Sequence, residues 1–83
     1  PTDEQIRNVK EWLLYAVSLA EKEFGAKTGQ LKLRYVYDMF VAKFPDVAKL
    51  LSFEKFSALV DEALIEMRHA IETNKAIENF IEI

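Results

Sequence analysis

The sequence predicts an all-α protein: three main helices in an antiparallel bundle, plus a short C-terminal helix or an extension of the third. Three observations predict it. Apolar residues recur at helical spacing over three long stretches. Only two Gly and two Pro occur in 83 residues, too few for the many turns of an all-β fold. The joins between the periodic stretches are short, which favours antiparallel neighbours. With no linker, repeat or low-complexity tract in view, residues 1–83 read as one domain.

The first helix is expected from Asp3 to Phe24. Thr2 with Gln5 three residues later has the pattern of a capping box. Asp3 and Glu4 fall in the first turn, where the helix dipole favours anions. Ile6, Val9, Leu13, Ala16, Val17, Ala20 and Phe24 form one stripe. Trp12, Tyr15 and Leu19 fall on one flank of it and Leu14 on the other. A helix this apolar around its middle belongs at the centre of its bundle or is shared with a second subunit. Gly25 is expected just past the helix end, where a positive φ is needed.

The second helix is expected from Gly29 to Phe44, with Thr28 placed to cap it. Leu33, Val36, Tyr37, Phe40 and Phe44 make its stripe, leaving Leu31, Tyr35 and Met39 outside. Pro45 ends it and biases Phe44 away from helical geometry. A helical turn over Val47–Leu51 follows. Ser52 caps the third helix, and Leu51 with Phe56 fits a hydrophobic staple. Phe53, Phe56, Val60, Ala63, Leu64, Met67 and Ile71 share its inner face. Thr73-Asn74 is a weak break. Lys75–Ile83 either extends the helix or forms a short one, with Ile77 and Ile81 facing inward.

Composition narrows the function classes. The chain has no Cys, which excludes a disulfide framework and a thiolate metal site and fits a reducing cytoplasm. Its net charge of −3 disfavours nonspecific binding to nucleic acid or to an anionic membrane. The longest apolar run, Trp12 to Val17, is too short to span a membrane. Pro1 without a preceding Met fits both removal of an initiator Met and excision from a longer protein. A cytoplasmic protein is expected, or a membrane-associated one if a transmembrane segment has been cut away.

Two motifs invite a chemical reading and fail it. Gly25–Thr28 has the Lys-Thr pair of a P-loop, but Ala26 stands where the motif needs Gly, and a helix precedes it rather than a strand. Glu66-Met67-Arg68-His69 has the Glu-x-x-His spacing of di-iron carboxylate proteins. That site needs two such motifs and two more Glu in a bundle core, and this chain has a single His. Glu62, Glu66 and His69 moreover lie opposite the apolar stripe. No catalytic, metal or cofactor site is therefore expected, and the chain reads as no enzyme.

What remains is a surplus of apolar surface. With 51% hydrophobic residues, six Phe, three Tyr and one Trp, the chain is rich for its size. Trp12, Tyr15 and Leu19 on the first helix form one strip. Ala58, Ile65, Ala76 and Phe80 form another on the outer face of the third. Two such strips favour a homo-oligomer, with Trp12, Tyr15, Leu19, Ile65 and Phe80 as candidate contacts. Lys27, Lys32 and Arg34 gather near the start of the second helix and are candidates for contact with an anion or a partner. An alternative reading makes the second helix a DNA-recognition element of a small regulatory protein, using Lys32, Arg34, Tyr35 and Tyr37. Too few basic residues stand free on that helix to favour it.

Residues 25–40, GAKTGQLKLRYVYDMF, together with Trp12–Val17 and the Phe53…Met67 segment, carry a family resemblance. The chain resembles small phage and prophage proteins of Firmicutes, similar in turn to the soluble part of LLH-type phage holins. Ala16-Val17, Ala20-Glu21, Thr28-Gly29, Lys32 and Val60-Asp61-Glu62-Ala63-Leu64 match that pattern across most of residues 9–72. LLH-type holins carry an N-terminal transmembrane helix that these 83 residues do not contain. The resemblance implies a non-enzymatic phage accessory or interaction module linked to holin-type lysis, with another phage or host protein as a further partner.

Overall fold

The computed structural model describes residues 1–25 and 29–82, with side chains described for all of these except Leu31 and residues 75–82. It is all-α. Four helices follow in order: α1, Asp3–Phe24; α2, Gly29–Lys43; α3, Pro45–Leu50; and α4, Phe53–Glu82. The expected cap at Thr28 lies outside the described residues.

The ends of the helices follow from local chemistry. The Thr2 hydroxyl accepts the Gln5 N–H at 3.1 Å, and the Thr2 N–H donates to the Gln5 side chain at 2.8 Å, closing the capping box. At the far end of α1, Gly25 has φ 68° and ψ −168°, and its N–H donates to the Glu21 carbonyl at 2.9 Å. The positive φ is as expected, but the residue is not in the left-handed helical well. It occupies a region that is essentially glycine-only. A Cβ there would meet nothing within 4 Å, so the requirement lies in the backbone and not in space.

α2 stops at Lys43, one residue short of the expected end. Phe44 is already out of the helical well, at φ −127° and ψ 63°, as the ring of Pro45 demands. Pro45 then opens α3 itself, because its fixed φ suits a first helical position and its missing N–H would be unbonded there anyway. The short helix thus spans Pro45–Leu50 rather than 47–51. Ser52 caps α4 as expected, its hydroxyl accepting the Lys55 N–H at 3.2 Å. Thr73-Asn74 does not break α4, which runs unbroken for 30 residues. Neither residue is Gly or Pro, and each costs a helix only about 0.7 kcal/mol or less.

α1 and α2 run antiparallel, since Lys32 meets Glu21 near one end and Phe44 meets Trp12 near the other. α1 is the hub, packing on both α2 and α4. It contributes Val9, Leu13, Ala16, Val17 and Ala20 to the core. Val36 and Phe40 enter from α2, Val47 from α3, and Phe56, Val60 and Ala63 from α4, with Leu51 beside them. Phe40 stacks on Phe56 with ring centroids 4.6 Å apart, and Tyr37 sets its edge against both Phe53 and Phe56. No side-chain polar atom is buried without a hydrogen bond among the described residues.

The packing revises several side-chain expectations. Tyr35 and Met39, read as lying outside the stripe of α2, are both half-buried against the core. Tyr35 sets its ring edge-on to Phe24 at 5.1 Å. Phe53 and Ile71, read as inward, are 50% and 48% exposed. Ile71 is bare because α4, at roughly 45 Å, outruns α1 at roughly 33 Å. From Arg68 to Asn74 every residue is exposed.

Candidate functional site

The best-formed concavity is a groove of about 320 Å³ between α1, α2 and α4. Its floor is apolar, from Val17 and Ala20 on α1, Val36 on α2 and Val60 on α4. One wall carries an ion pair: the Lys32 Nζ lies 2.7 Å from Oε1 of Glu21. Both side chains are largely shielded, at 16% and 28% exposure, so water screens the pair less than it would on an open surface. The other wall is a single face of α4, where Ser57, Asp61, Leu64 and Arg68 recur at helical spacing. The rim therefore balances two cations against two carboxylates. Among the described residues the groove is an amphipathic trough whose charges balance.

Two of the three candidate basic residues are described, and they point to different sides of α2. Lys32 is held by Glu21. Arg34 sits about 200° away around α2 and pairs within its own helix with Asp38, at 3.3 Å. Lys27 lies outside the described residues.

The apolar candidates divide in the same way. Tyr15 and Ile65 stand free, at 63% and 65% exposure. Trp12 is half-buried, with its ring edge-on to Phe44 at 5.5 Å, so part of its surface is engaged within its own chain. Leu19 is half-buried as well, and the side chain of Phe80 lies outside the described ones. Leu50, Phe53 and Ile71 are exposed apolar residues beyond those predicted.

Glu62, Glu66 and His69 face outward as their wheel positions predict. Glu62 meets Lys10 at 3.6 Å across α1 and α4 in an exposed pair. Among the described residues, no group of three or more His, Asp or Glu is arranged to hold a metal ion. No described helix is long and apolar enough to cross a membrane.

Sequence reasoning missed the Lys32–Glu21 pair, though its signal was present. The two residues flank a short join, Glu21 four before Gly25 and Lys32 three after Gly29. Antiparallel helices joined so tightly bring such positions together.

No family model matches the chain, and no curated protein or solved structure matches it.

Proposed function

We propose that the chain is a helical interaction module that works by self-association, in a phage or prophage setting linked to holin-type lysis, and not by catalysis. One observation carries this reading. A protein of 83 residues leaves Tyr15, Leu50, Phe53, Ile65 and Ile71 about half exposed or more while its core is already well formed. Large apolar side chains left in water by so small a fold are the ordinary material of protein–protein contacts. The phage setting rests on the sequence resemblance to the soluble part of LLH-type holins.

Sedimentation equilibrium on the purified chain tests the association. The reading expects a concentration-dependent rise in mass above 9.6 kDa. A strict monomer at high micromolar concentration overturns it. Endolysin or tail genes beside the coding gene are the expected sign of the phage setting.

A further inference from the structure

The apolar seam of α4 does not stop where the bundle stops. Numbered as heptads from Phe53, its first and fourth positions are Phe53, Phe56, Val60, Ala63 and Met67, then Ala70, Asn74, Ile77 and Ile81. The spacing of three and four residues alternates without a slip over all nine. The first part of the seam is covered within the chain: Phe56, Val60 and Ala63 are buried and Met67 is half-buried. The helix continues to Glu82, yet Ala70, Ile71 and Asn74 are exposed. The register that upstream packs on the chain's own helices is thus bare at Ala70 and Asn74, and its heptad spacing continues in the sequence to Ile77 and Ile81. Around this extension the outward heptad positions are Arg68, His69, Glu72, Lys75, Ala76, Asn79 and Glu82. All but one of them are polar, while Ile71 and Phe80 stand beside the seam at the fifth and seventh heptad positions.

We propose that the α4 extension, from Met67 to Ile81, forms a parallel two-stranded coiled coil with the same segment of a second copy. This deepens the self-association reading above and rests on it. The choice of occupant comes from Asn74. It stands in the middle of the extension's seam, at a first heptad position, with two apolar layers on either side. An amide in such a layer needs a donor and an acceptor facing it at the same height. An apolar helix from another protein supplies neither. An identical parallel strand supplies both, because each Asn74 amide meets its own copy across the two-fold axis. A lone Asn at this heptad position also selects two strands in parallel register, at some loss of affinity. An antiparallel arrangement sets Asn74 against an apolar layer and leaves its amide unsatisfied. Two heptads make a small interface, under roughly 1,200 Å², so the dimer is weak and concentration-dependent.

The chain has no Cys, so single-cysteine variants of the full chain report the geometry directly. Under mild oxidation at high micromolar concentration, Asn74→Cys and Ile77→Cys should give disulfide-linked dimers. Glu72→Cys and Asn79→Cys, on the outer face, should stay monomeric on a non-reducing gel. Ile77→Asp should weaken the sedimentation dimer by about tenfold or more, with the helical circular dichroism of the bundle retained. Asn74→Val should tighten association and admit assemblies larger than two. If the unmodified chain is a strict monomer, both this proposal and the self-association reading fall. If it dimerises but the inner and outer cysteines cross-link alike, or Ile77→Asp leaves the dimer intact, the coiled coil falls and self-association through another face stands.

Discussion

The Nζ of Lys32 lies 2.7 Å from Oε1 of Glu21, and this contact ties α2 back onto α1. Both groups are partly withdrawn from water, so the pair outweighs the exposed Lys10–Glu62 and Arg34–Asp38 contacts. A double-mutant cycle with Lys32→Met and Glu21→Gln, read by urea unfolding, should give a coupling of about 1 kcal/mol. The same cycle at Lys10 and Glu62 should give roughly 0.2–0.5 kcal/mol, falling further in high salt. Equal couplings for the two pairs would show that burial does not separate them.

The stacked pair Phe40 and Phe56 predicts where the fold is most vulnerable. Both are fully buried, with centroids 4.6 Å apart. Phe56→Ala should cost about 3–5 kcal/mol, from lost transfer energy and the cavity left behind. Small domains hold only about 5–15 kcal/mol in total, so this variant should lose a large fraction of its stability and melt well below the parent chain. Phe53→Ala, three residues earlier and half exposed, should cost only about 1 kcal/mol. Thermal melts followed by circular dichroism separate the two.

Gly25 offers a test of backbone conformation with packing removed. At φ 68° and ψ −168° an L residue is strained, while a Cβ would meet nothing. Gly25→Ala should therefore destabilise by about 1–3 kcal/mol. A D-alanine installed there by chemical synthesis finds the mirror of an ordinary extended conformation. It should stabilise by about 0.5–1 kcal/mol through the unfolded chain alone. Opposite signs for the two enantiomers are the expected result in denaturant titrations.

The capping box gives a fourth prediction. Thr2→Ala removes the hydroxyl that accepts the Gln5 N–H and should cost about 1 kcal/mol. Amide exchange should speed up most in the first turn of α1. Gln5→Ala should cost less, because the Thr2 N–H that it frees is exposed to water.

What the sequence revealed about the fold divides along the range of the interactions involved. Both ends of α1 and the cap at Ser52 were legible because their determinants lie within four residues. Pro45 was legible as a break, and its second role as the opening residue of α3 shifted two boundaries by a residue or two. Thr73-Asn74 was ambiguous because neither residue is a strong breaker, so continuation depended on the whole helix. Trp12, Tyr35 and Met39 were misjudged for another reason. A helical wheel gives the direction of a side chain and not how far a neighbouring segment reaches, and Phe44, from the join between α2 and α3, and Phe24, from α1, meet the first two. The groove was invisible because it exists only where three helices meet. Of the candidate contacts, Tyr15 and Ile65 were legible as exposed, since both lie off the apolar stripes of their helices.

The unbroken passage of α4 through Thr73-Asn74 has a consequence for the gene. A continuous helix fixes the rotational phase of its tip relative to its root, at about 100° per residue. Inserting or deleting one residue between Met67 and Ile77 would leave every side chain of the bundle in place and still swing the end of the seam well away from the face it continues. A change of seven residues would restore the phase to within about 20°. Length variation in this stretch is therefore constrained by angle more than by distance, and frame-preserving indels of seven codons are the ones it should tolerate.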